Sequence, residues 1–142
     1  MFLIVIVTIA IYIVSIAWTW QNLDSIDKNK KIAVIIIGNI VMCIITLIIF
    51  NISKNGISYD NVELQTAVRN IIVSIFTGIN GIIVIPQIAK VLEKIEEGEI
   101  DKKEVLRRLI IILIIFIACV IFECGYIKDT QKGIVQIYNS IK

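Results

Sequence analysis

The chain has 142 residues, 58% of them apolar, with a mean hydropathy of +0.91 and a net charge of +2. Few soluble domains are so apolar, and the length holds one compact domain. The weak net charge gives no reason to expect a nucleic-acid partner, and the absence of histidine removes the commonest metal ligand and the commonest general base.

Isoleucine outnumbers leucine 39 to 8, which we read as coding bias of an AT-rich, bacterial genome and not as function. Cys43, Cys119 and Cys124 are odd in number, lie in apolar stretches and form no CxxC motif. They read as buried free thiols, so no disulfide, metal or cofactor is expected.

Residues 1–20 carry no charge, and the first one in the chain is Asp24. Such a run can cross a hydrocarbon core of ~30 Å. Ser15-Ile16-Ala17 has the small-x-small form of a signal cleavage site, but a charged leading region is missing, so a retained span is expected. Trp18 and Trp20 suit the membrane interface at its end.

A short loop, 21–31, carries Lys28, Lys30 and Lys31, and an uncharged second span follows at 32–51. The next connection contains Lys54-Asn55-Gly56, a turn signal. Asp60 followed by Glu63 then suggests a helix start.

The third span is expected at 71–89. Asn70, Ser74, Thr77, Gly81, Val84, Ile88, Val91 and Ile95 recur at steps of four and three, a heptad seam on one helix face. The seam predicts that this helix leaves the membrane as a packed cytoplasmic stalk, meeting either the fourth helix or another copy. Pro86 removes a helix hydrogen bond and reads as a hinge. Gly98 suits a helix end, and Asp101 with Glu104 suits the next start.

The fourth span is expected at 109–127, with the single charge Glu123. The tail, 128–142, has Ile134, Ile137, Tyr138 and Ile141 at helical spacing, which predicts a short amphipathic helix on the membrane surface. The expected fold is thus all-α: four transmembrane helices in an antiparallel bundle within a single domain, 1–142. Loops 21–31 and 90–108 hold nine basic residues against five on the other side. By the positive-inside rule both termini face outward and 90–108 lies in the cytoplasm.

Each span carries polar residues on one face, and polar faces in lipid turn inward. Aligning antiparallel spans by depth predicts two layers. Thr8, Thr46, Thr77 and Glu123 form the outer one, and Tyr12, Asn39 and Asn80 form one nearer the middle. Glu123 reads either as an ion or proton site, or as a carboxylate that snorkels outward or pairs with Arg69 or Lys128. The hydroxyl and glycine stripe equally suits close helix packing.

No phosphate loop, zinc-protease motif, nucleophile elbow or deep catalytic dyad occurs, so enzymatic activity is not expected. Three functions fit these residues. The first is a homo-oligomeric pore or ion channel subunit in the lipid bilayer of the cell. The second is a non-catalytic membrane subunit or anchor that binds a protein partner through 90–108. The third is a small proton-coupled transporter, which a shallow Glu123 would disfavour.

Overall fold

The computed structural model describes residues 2–21 and 27–142, and it is all-helical. The helices are α1 (Phe2–Gln21), α2 (Lys28–Ser53), α3 (Val62–Glu96) and α4 (Lys102–Ile141). Met1 and residues 22–26 of the expected 21–31 loop lie outside the described residues. Helices α2, α3 and α4 are long and apolar enough to cross a membrane, while the apolar stretch Ile6–Gln21 of α1 is shorter.

Local chemistry sets the helix ends. Asn61 caps α3 by accepting from the Leu64 amide at 2.7 Å, so the cap falls one residue after Asp60. Asp101 caps α4 in the same way, 2.9 Å from the Glu104 amide. At the end of α3, Gly98 takes φ 69°, the Gly98 amide bonds to the Ile95 carbonyl and the Glu99 amide to the Lys94 carbonyl. This left-handed closure suits glycine and stops the helix sharply.

The bundle is organised around α3, which packs extensively against all three other helices. Helix α2 also meets α4 but only brushes α1, and the described residues of α1 and α4 do not pack together. Ile11 and Tyr12 of α1 lie over Gly78, and Ser15 over Gly81, so α1 runs parallel to α3. Gly38 of α2 lies over Ile85, and Asn39 over Gly81, so α2 runs antiparallel to it. The close approach at Gly78 needs a missing side chain: a Cβ there would stand 2.5 Å from Ile11 Cγ2.

The apolar core lies toward the end that carries residues 54–61 and the C-terminus, here called the tail end. Ile49 and Phe50 of α2, Val68, Ile72 and Val73 of α3, and Ile127 of α4 form it. Toward the opposite end, which carries the α3–α4 turn, Val84, Ile85, Ala89 and Val91 of α3 stay buried but α4 does not cover the bundle. No residue of α4 from 102 to 122 is buried. A groove of about 610 Å³ runs along the contact of α2 with α3, with Val34, Gly38, Val84 and Ile88 among its walls. Lys30 and Glu96 pair at its rim. The cause is the pattern of α4, which after its charged first turns is apolar all round over 109–122 and so has no single stripe to direct it onto the bundle.

The tail differs from the separate surface helix that its spacing suggested. Helix α4 runs unbroken through 128–141. Its last turns dock on the 54–61 connection: Tyr59 Oη donates to Gln131 Oε1 at 2.6 Å, Asn61 Nδ2 donates to Tyr138 Oη at 3.3 Å, and Lys142 Nζ pairs with Asp60 at 3.2 Å. Polar residues at helical spacing thus mark a docking face for this connection, a partner that periodicity alone does not reveal. Helix α3 also continues through Pro86 without a break. Gln87 Nε2 donates to the Ile83 carbonyl at 2.8 Å, one residue beyond the carbonyl that the proline leaves without its helix partner.

Two measurements follow from this packing. Gly78→Val should destabilise the bundle by about 1–3 kcal/mol through overpacking against Ile11, whereas Gly125→Ala, which meets nothing within 4 Å, should be neutral or slightly stabilising. Thermal unfolding of the purified variants reads both. Burial raises the Tyr59 phenol above its ordinary value, so the folded state holds that proton more tightly than the unfolded chain. The Tyr59 contribution is intact below pH ~10 and is lost as pH climbs through the raised folded value. Between pH 8 and 11.5 the wild type should therefore lose stability more steeply than Tyr59→Phe.

Candidate functional site

The polar residues meet inside a single chain. The centre lies on α3 between Thr77 and Gly81, and every helix contributes to it. Asn80 is fully buried and Glu123 is 5% exposed. Asn80 Nδ2 donates to Glu123 Oε2 at 3.1 Å. Helix α4 runs antiparallel to α3, and side chains tilt toward the N-terminus of their helix. The Glu123 carboxylate therefore reaches down α4 toward Asn80, away from the tail end. Arg69 and Lys128, the basic residues that charge alone would offer, are not its partners, and no ion pair among the described residues includes it.

On the next face of α3, Gly81 leaves a space that α1 and α2 fill with oxygens. Ser15 Oγ stands 3.3 Å, and Asn39 Oδ1 3.5 Å, from the place a Cβ would occupy. Asn39 Nδ2 is occupied with the Ile35 carbonyl at 2.8 Å, which turns Oδ1 toward Gly81. Tyr12 lies against Gly78, and its hydroxyl approaches Thr77 Oγ1 without reaching hydrogen-bonding geometry. Thr77 is 2% exposed.

This arrangement redraws the two expected layers. Glu123 meets Asn80 of the second layer, while Asn39 lies over Gly81 and Tyr12 over Gly78, on the α2 and α1 sides of α3. Thr46 is fully buried but bonds to its own Met42 carbonyl at 2.8 Å. It sits seven residues along α2 from Asn39, about 10 Å toward the tail end. Thr8, half-buried, stands equally far along α1 from Ser15. The depth alignment placed Glu123 by its backbone, and the length and tilt of its side chain account for the difference. Ser15 shares a face of α1 with Thr8 and Tyr12 at helical spacing but belonged to neither layer. The space at Gly81 gives it a role, and a small residue opposite two polar ones was the available signal.

The seam of α3 is buried in its middle and open at its ends. Gly81, Val84 and Val91 are buried, Ser74 and Ile88 half-buried, and Asn70 and Ile95 exposed. Gly81 of the seam meets α1 and α2, and Val84 and Ile88 face the α2 groove. Asn80, which lay off the seam, is the residue that meets Glu123 of α4. Pro86 is buried one turn beyond the centre.

Along α3 from Thr77 to Gly81, a carboxylate–amide pair thus faces α4, and amide and hydroxyl oxygens face α1 and α2. Asn39 Oδ1, Thr77 Oγ1 and Asn80 Oδ1 are buried and receive no hydrogen bond from the protein. Such atoms are costly in an apolar interior unless something donates to them or coordinates them. Among the described residues, no group of three or more histidine, cysteine or acidic side chains is placed to hold a metal. The chain matches no protein-family model, no curated protein and no solved structure.

Removing one member of the buried pair should cost more than removing both. Asn80→Ala leaves Glu123 without its donor and should destabilise the protein by about 1–3 kcal/mol. The double variant Asn80→Leu, Glu123→Leu should recover most of that loss, because it buries neither group unpaired. A double-mutant cycle by thermal unfolding measures the coupling.

Proposed function

We propose that this chain is a four-span membrane protein that moves a small cation or a proton, using Glu123 as the group that takes it up. The observation that carries the reading is the Asn80–Glu123 hydrogen bond. Asn80 is the midpoint of the expected 71–89 span. A carboxylate that reaches it is at the depth where coupling sites of secondary transporters lie. The objection that Glu123 is too shallow concerns its backbone and not its carboxylate. A buried acid in a layer of unpaired oxygens can gain and release a charge at low cost in rearrangement.

The asymmetry of the bundle supports the same reading. The tail end is closed by the Phe50–Ile127 core and the Tyr59–Gln131 contact. The turn end is open along the α2–α3 groove and the unpacked half of α4. The centre thus lies between a sealed end and a loose one, as an alternating path requires. The excess of basic residues at the loose end supports a cytoplasmic position for it.

A second reading is the homo-oligomeric channel, and the unburied first half of α4 favours it, since that length of helix would pack on a neighbouring copy. Proteoliposomes decide between them. Uptake of labelled sodium ion and of protons is measured with wild type and Glu123→Gln, with and without ion inside. A transporter is expected to show uptake accelerated by internal ion and abolished by Glu123→Gln. Uptake without that acceleration identifies the channel. No uptake by correctly inserted protein overturns both and leaves the membrane subunit that binds a partner through 90–108.

A further inference from the structure

The groove along α2 and α3 differs in kind from the polar centre. Among the described residues that line it, all but Lys30 and Glu96 are apolar. Val84 and Ile85 are buried in its floor, with Gly38 and Ile88 half-buried beside them. Exposed Ile37 and Leu92 flank it, so it opens sideways from the bundle. Its volume of about 610 Å³ lies within the range of ligand-binding clefts, roughly 300–1,000 Å³.

Position along α2 sets the depth of the groove. Lys30, at one end, precedes the expected 32–51 span and stands at the level of the membrane interface. Met42, at the other end, stands at the middle of that span. The apolar wall from Ala33 to Met42 rises ~14 Å at 1.5 Å per residue. Half of a ~30 Å hydrocarbon core is ~15 Å. The groove is therefore as deep as one leaflet, which is the reach of one lipid acyl chain. Charge at the mouth complements a head group. Lys30 and Glu96 pair there with their side chains 60% and 40% exposed. A pair so exposed is held weakly and exchanges partners readily. It offers a cation and an anion side by side to a head that carries both charges. A phosphate answers Lys30, and an ammonium with N–H donors answers Glu96.

We infer that this groove binds a phospholipid whose head carries a phosphate and a primary ammonium. One acyl chain lies along Gly38 and Ile85, and the head sits between Lys30 and Glu96. The inference rests on the membrane reading of the chain and not on transport. The lipid covers apolar wall on α2 and α3 that α4 leaves open, so occupancy stabilises the folded bundle.

The test starts from the full-length protein in the membrane fraction of the expressing cells. Its absence from that fraction overturns the membrane reading and the lipid site together. The protein is then purified in mild detergent and stripped of lipid. Phosphatidylethanolamine, phosphatidylcholine or phosphatidylglycerol with matched acyl chains is titrated in, and native mass spectrometry counts the lipids retained. One phosphatidylethanolamine should be retained at concentrations where the other two are not, and Tm should rise with its occupancy. Ala33→Trp fills the groove near its mouth from an exposed, interfacial position that suits tryptophan. It should weaken retention by about tenfold and leave the Tm of lipid-free protein unchanged. Lys30→Ala with Glu96→Ala should abolish the preference among head groups. Equal retention of the three lipids by wild type, or undiminished retention in Ala33→Trp, overturns the site. Preference for phosphatidylglycerol overturns the assigned head group, and a dimer that retains no lipid replaces the lipid with a second copy. Ala33, Lys30 and Glu96 lie outside the Thr77–Gly81 region, so failure here and failure of the transport reading are separate results.

Discussion

A Cβ on Gly78 would stand 2.5 Å from Ile11 Cγ2, and that absence of space is what the rest of the bundle depends on. Helix α3 can touch α1, α2 and α4 together only if its surface is thin where they press on it. Gly78 and Gly81 thin it on the α1 and α2 sides. Where the backbones come close, dispersion contacts multiply and short polar side chains reach across. Ser15 and Asn39 meet over Gly81 for this reason.

The same closeness sets the electrostatic problem of the centre. Apolar side chains surround one acid and several oxygens, and the Asn80 bond to the acid comes from a neutral amide. Neutral donors hold a carboxylate in position without cancelling its charge. A paired lysine would have made the site a static brace. Ordinary helix packing accounts for Thr46, whose hydroxyl is spent on its own helix, but not for Asn80 and Asn39, whose carbonyl oxygens are left over.

The two ends of the bundle differ because two kinds of sequence pattern meet in α4. Its second half has polar and apolar faces, so Glu123, Ile127 and Gln131 find the bundle and the 54–61 connection. Its stretch 109–122 is apolar on all sides, which suits lipid and directs the helix nowhere.

Composition and periodicity determined much of this protein. The helical class, the three long apolar helices, the Asp101 start, the Gly98 stop and the lone acid Glu123 in an apolar helix are all readable from residue type and spacing, because backbone capping and hydrophobic length act locally. The seam on α3 was legible as a face, but not which helices it would meet. Tertiary structure alone decided that the polar stripes meet within one chain, that Glu123 bonds to Asn80, that Ser15 belongs to the centre and that the tail continues α4. Each depends on helix tilt, on side-chain reach and on which neighbour occupies a face. Those quantities arise only when four helices pack together, and no single helix carries them in its sequence.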